Sequence, residues 1–185
     1  MYDPDGHMPR WAKYLIGVVV SVGIIAVTAV AGGAALAAGA AIGAAVGAGL
    51  GVLSGVTFDE NGKAIFDKDK AASGFMFGSI TGAISGLVGT HFGNLYGTGS
   101  MLTRGIKAGV DGVLSLATYV GQNALDGSIK DVTLAGSLIS LGSGLLNFVD
   151  PFDNSMDLWW VPAMGAEVAW VYDNIYNLFK KHKKN

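Results

Sequence analysis

Between Ala34 and Gly55 the chain reads AALAAGAAIGAAVGAGLGVLSG, and Gly39, Gly43, Gly47, Gly51 and Gly55 recur at every fourth residue. On an α-helix that spacing lines the glycines along nearly one stripe. A stripe without side chains is a flat groove, and a second helix backbone can approach it closely. An interior glycine disfavours a helix by about 1 kcal/mol relative to alanine. Five in register therefore require a closely packed partner helix to offset them. The stripe predicts a glycine zipper, and with it an all-α fold.

The surrounding charge pattern bounds the fold class further. No charged side chain occurs from Tyr14 to Phe58, from Ala71 to Thr103 or from Val132 to Val149. The first run is long enough for two membrane crossings of about 20 residues each. Its first half, Tyr14 to Val30, carries ten Leu, Ile or Val residues. Each adds roughly −0.3 to −0.6 kcal/mol to insertion at the helix centre, so this half can insert on its own. The zipper half carries only six such residues and inserts more plausibly as the second leg of a hairpin. Charged residues make up 14% of the chain, against about 25% in an ordinary soluble domain.

The segments follow in order. Residues 1–13 are polar, and Asp3-Pro4-Asp5-Gly6 reads as a turn. Arg10 and Lys13 precede an apolar run, and Ala29-Val30-Ala31 has the form of a signal cleavage site. The acidic Asp3 and Asp5, and the apolar character beyond that site, argue against a signal peptide. Trp11 and Tyr14 stand where membrane-interface anchors stand, or they cap a core helix. Gly32-Gly33 breaks the first run and predicts a helical hairpin over 14–56, with Gly17 and Gly23 available for close contact. Asn61-Gly62 within TFDENGKAIF marks a short β-hairpin or a loop near 57–66.

A second fourfold stripe, Gly74, Gly78, Gly82 and Gly86, lies on a helix expected at about 69–90, with Asp67 or Asp69 as its cap. A helix with Gly105 and Gly109, amphipathic rather than membrane-spanning, follows at about 101–125, and a further glycine-containing helix at about 128–148. These complete a helical region over 14–149. The tail, 150–185, holds Trp159 and Trp160 and a last amphipathic helix ending in KKHKKN. Lys180 and Lys181 there suit a helix C-terminus or an anionic lipid surface.

Recognisable catalytic chemistry is absent from the sequence. His7, His91 and His182 have no ligand partner at helical spacing, and the chain has no cysteine. No nucleophile elbow or phosphate-binding loop occurs. The carboxylates cluster in turns, and a formal charge of −2 leaves no basic face for nucleic acid. The expectation is a non-enzyme without cofactor or metal.

The opening MYDPDGHMPRWAKYLIG resembles the junction that closes the core of rearrangement-hotspot (RHS/YD-repeat) polymorphic toxins. Asp3, Pro4 and Gly6 match the Asp-Pro-x-Gly motif at which the variable toxin tip begins. The apolar helix, the zipper, the polar link TFDENGKAIFDKDK and the second glycine-rich helix are similar in composition to the region beyond that junction. The resemblance implies a tip delivered to a target cell, with a possible cognate immunity protein. No recognisable enzymatic warhead follows, which leaves the membrane-active part as the effector. Two functions follow as expectations. One is a membrane-inserting, pore-forming or translocation module that contacts lipid and self-associates through glycine stripes. The other is a soluble all-helical connector or immunity-binding module without membrane activity.

Overall fold

A computed structural model describes residues 8–59, 62–97, 100–145, 165, 166, 168–173, 175 and 176. The protein is all-α, with one two-stranded antiparallel hairpin. Helix α1 spans Arg10–Gly51 and is two helical arms joined at Gly33, whose φ of 84° and ψ of 176° lie in a region open essentially to glycine alone. A 3-10 turn, Val52–Gly55, leads into β1 (Val56–Phe58), which pairs with β2 (Ala64–Phe66). Register is fixed by Val56 opposite Phe66 and Phe58 opposite Ala64. The hairpin loop is closed by Asp59, whose carboxylate accepts from the Lys63 amide at 2.8 Å.

Helix α2 spans Lys68–Tyr96. Asp67 caps it by accepting from the amides of Asp69 and Lys70 at 2.9 and 3.2 Å, and Gly97 ends it with a φ of 83°. Ser100 caps α3 (Met101–Leu125), and Thr133 caps α4 (Leu134–Gly142). Where one helix was expected over 128–148, a 3-10 turn at Ile129–Asp131 comes first. The Thr133 hydroxyl takes the Gly136 amide at 2.9 Å, so the helix starts at Leu134. A 3-10 turn at Ser143–Leu145 follows it, and residues 165, 166, 168–173, 175 and 176 are helical.

The two arms of α1 run in opposite directions along α2. In the first arm, Lys13 reaches Ser73 and Gly17 lies against Met76 and Ser79, so this arm runs parallel to α2. In the second, Gly39 lies against Gly86 and Gly51 against Gly74, so this arm is antiparallel. The chain must therefore reverse at Gly32-Gly33. Helix α3 returns antiparallel along α2, with Asp126 at Ser73, Gly121 at Phe77 and Thr118 at Thr81. Helix α4 lies antiparallel on α3, with Gly136 at Tyr119 and Ser140 at Ser115. The largest apolar cluster gathers Tyr119, Ala166, Ala169 and Trp170, with Leu116, Val120, Val132 and Ile139 packed around it.

Candidate functional site

The glycine stripes meet each other. Gly39 faces Gly86, Gly43 faces Gly82, Gly47 faces Gly78 and Gly51 faces Gly74. At each of the eight positions a methyl group would overlap the facing glycine's carbonyl oxygen. Each glycine thus presents its Cα hydrogen toward a carbonyl, the geometry of weak C–H···O bonds between close helices. Gly55, beyond the helix, lies against Ala71 and the Asp67 carbonyl. The partner of the zipper is α2 and not the first arm of its own hairpin. Gly17 also packs on α2, and Gly23 has nothing near it. Gly105 and Gly109, singled out on α3, face open space as well. The α3 glycines in close contact are Gly112, against Gly144 and the Leu141 carbonyl, and Gly121, against the Phe77 ring.

The interior beside α3 is polar. Thr103, Lys107, Asp111, Ser115, Thr118 and Gln122 are all buried and recur at three- or four-residue steps, so they form one face of the helix. Asp126, just past the last turn, continues it. At that end Lys13, only 2% exposed, donates to Ser73 Oγ at 2.7 Å and to Asp126 Oδ1 at 2.9 Å. Ser73 Oγ in turn donates to Asp126 Oδ1 at 2.5 Å. Sequence placement beside Trp11 made Lys13 a flanking charge at an apolar run. It is instead half of an interior ion pair that ties the starts of α1 and α2 to the end of α3.

Further along, Thr118 Oγ1 donates to Thr81 Oγ1 at 3.3 Å, and Ser115 shares a 2.8 Å hydrogen bond with Ser140. Tyr119 donates to Asp173 Oδ2, and Thr133 donates to Asp173 Oδ1 at 2.5 Å, which fastens the helical residues around Asp173 to α3 and α4. Gln122, 3% exposed, and Ser85, fully buried, meet no protein hydrogen-bond partner among the described residues.

The outside is the converse of the inside. Trp11, Leu15, Val18, Val19, Val22 and Val27 of the first arm are exposed, Val27 by 69% and Val30 by 91%. The buried positions of the same arm are Lys13, Gly17, Ser21 and Thr28. Ser21 and Thr28 each donate to the carbonyl four residues back, at 2.6 Å, and so satisfy their hydroxyls within the helix. Leu102 and Val113 of α3, and Leu134, Leu138 and Leu141 of α4, are exposed too. Tyr14 is half-exposed with its edge on Phe75, their centroids 5.0 Å apart. Both α1 and α2 are long and apolar enough to cross a membrane, and only 17% of the most apolar stretch of the first is buried.

The junction residues Asp3, Pro4 and Gly6, and the tail residues Trp159, Trp160, Lys180 and Lys181, lie outside the described residues. Among the described residues no group of three His, Asp or Glu side chains is placed to hold a metal ion. The signal that could have revealed the polar face was present in the sequence, as Thr103, Lys107, Asp111, Ser115, Thr118 and Gln122 at helical spacing among Leu and Val. The chain matches no family model, no curated protein and no solved structure.

Proposed function

We propose that this chain is a membrane-inserting module, pore-forming or translocating, of an RHS-type polymorphic toxin tip. The observation that carries the membrane reading is the inverted distribution of polarity. Glycine, alanine, hydroxyls and a Lys–Asp pair make up most of the interior beside one apolar cluster at Tyr119 and Trp170, while Val and Leu are exposed along the first arm of α1. Burying apolar surface is the main force that folds a chain in water, and this arrangement forgoes much of it. In lipid that force does not act between helices. Helices then associate through small residues at close range and through polar contacts, as they do here. The toxin assignment rests on the Asp3-Pro4-Asp5-Gly6 junction and the segments after it.

The test is fractionation of the expressed chain between carbonate-washed membrane and cytosol, with flotation of purified protein on liposomes. Membrane retention and flotation are expected. A chain that stays in the soluble fraction and does not float refutes the reading. The soluble connector draws on one observation, that 67% of the most apolar stretch of α2 is buried, as in a core helix of a water-soluble bundle. A dispersed, helical, detergent-free monomer would favour it.

A further inference from the structure

Resting on the membrane reading, we propose that the polar face of α3 is a proton path through a single copy of the chain. Lys107, Asp111, Ser115, Thr118, Gln122 and Asp126 follow one another at every turn, with none of them exposed. From Lys107 to Asp126 they cover about 28 Å at 1.5 Å per residue. That is close to the roughly 30 Å hydrocarbon thickness of a bilayer. Ionisable side chains at that depth are expensive to bury and mark ion or proton routes.

The other elements extend the column with groups of the same kind. Ser73 and Lys13 join it at Asp126, Thr81 at Thr118 and Ser140 at Ser115. The unpartnered Gln122 amide and Ser85 hydroxyl are the second observation. A buried amide or hydroxyl is normally met by protein or by ordered water. Gln122 lies on the column itself. Ser85 lies one turn along α2 from Thr81, toward the Ser115 end. Water at these places would link side chains spaced by a helical turn into one hydrogen-bonded file.

The chemistry favours a proton over a hydrated ion. Charges of both signs occur along the column, Lys107 one turn from Asp111 in sequence and Lys13 paired with Asp126 at the other end, so no single sign of ion is favoured throughout. Ser115 and Ser140 touch directly at 2.8 Å, as do Ser73 and Asp126 at 2.5 Å, which closes the column to a hydrated ion. A hydroxyl or water can still accept a proton on its oxygen and release its own proton to the next acceptor. It then reorients, with no net change in any group. Along the middle of the glycine interface each space is filled by a facing carbonyl, and hydroxyls stand only towards its two ends, Thr90 beside Gly39 and Ser54 beside Gly74, so no continuous file forms there.

The experiment uses the full chain in vesicles of phosphatidylcholine and phosphatidylglycerol carrying both an internal pH dye and entrapped calcein. With potassium and valinomycin to balance charge, the expected wild-type result is flotation, rapid decay of a pH gradient and retention of calcein. Thr118→Val and Gln122→Leu should float and slow the decay about tenfold, near the rate equivalent of one hydrogen bond lost from the file. Ser85→Ala removes only an oxygen that has no hydrogen-bond partner among the described residues, so it should fold at least as readily, and it should slow the decay too. Val113→Ala, on the exposed side, should conduct as wild type. Flotation with a pH gradient as durable as in protein-free vesicles overturns the proton path and leaves the membrane reading standing. So does calcein loss as fast as proton flux, or unchanged flux in Ser85→Ala and Gln122→Leu. Failure to float removes the membrane reading and the path together.

Discussion

Gly47 and Gly49 sit two residues apart on the same arm of α1, and alanine at each should have opposite effects. In both, the helix gains up to about 1 kcal/mol of intrinsic propensity. At Gly49 the added methyl meets nothing within 4 Å, so that gain stands. At Gly47 the methyl overlaps the Gly78 carbonyl oxygen and carbon and sits 3.1 Å from the Gly82 Cα. Those atoms are backbone and cannot rotate away. The second arm and α2 must then part, and a separation of 0.5–1 Å forfeits roughly a quarter to a half of each dispersion contact. Overpacking of this kind costs about 1–3 kcal/mol, and the upper part of that range applies because four glycine pairs share one rigid interface. The expected net is a loss of about 2 kcal/mol for Gly47→Ala and a gain of up to about 1 for Gly49→Ala. For a chain of this size that lowers the melting temperature of Gly47→Ala by roughly 4–8 °C and raises that of Gly49→Ala by roughly 2–4 °C. The assay is thermal unfolding followed by far-ultraviolet circular dichroism, in the detergent or buffer that keeps wild type monodisperse. Equal melting temperatures for the two variants, or Gly47→Ala at or above wild type, would refute the close α1–α2 contact.

Gly33→Ala, placed at a φ of 84° with no neighbour to clash with, should destabilise by about 1–3 kcal/mol through backbone strain alone. Gly32→Ala should be milder in the same melting assay, because its methyl meets the movable end of the Leu36 side chain. Lys13→Ala leaves the Asp126 carboxylate in the interior without its cation and should lose about 3–5 kcal/mol. The Lys13→Met, Asp126→Leu double variant should recover most of that loss, and a double-variant cycle measures the coupling. A spin label at Val27→Cys should be accessible to lipid-dissolved oxygen, while one at the buried Thr28→Cys should be protected; equal accessibility would place the first arm elsewhere.

The helices were legible because helical periodicity is a local signal. Uncharged runs, the Gly32-Gly33 break, the Asp67 cap and the fourfold glycines lie within short windows of sequence and specify helix, reversal and a close-packing face. The choice of partner was less legible. Gly17 and Gly23 made the first arm a candidate for the stripe, but flat faces pair by matching spacing over their whole length. Among the described residues only α2 sets four glycines at that interval in register with the stripe. The Lys13–Asp126 pair joins residues far apart in sequence, and no local pattern announces it. Gly105 and Gly109 show the opposite failure. The same residue type can be a contact surface or merely a small residue on an open face, and only the facing helix decides.

The two interiors of the molecule differ in chemistry. Between α1 and α2, backbone meets backbone over four glycine pairs, and the contact leaves no room for a methyl group. Between α2, α3 and α4 hydroxyls meet instead, and Lys13 of α1 pairs with Asp126 at the end of α3. A glycine stripe in an apolar chain is easily taken for the wall of a pore, yet here its groove is already filled by the opposite helix. The proposed passage through one copy therefore runs beside α3, where buried exchangeable groups recur at every turn. If the proposed proton path holds, enlarging a zipper residue should disturb assembly without changing what is conducted, whereas removing an oxygen at Ser85 or Gln122 should do the reverse.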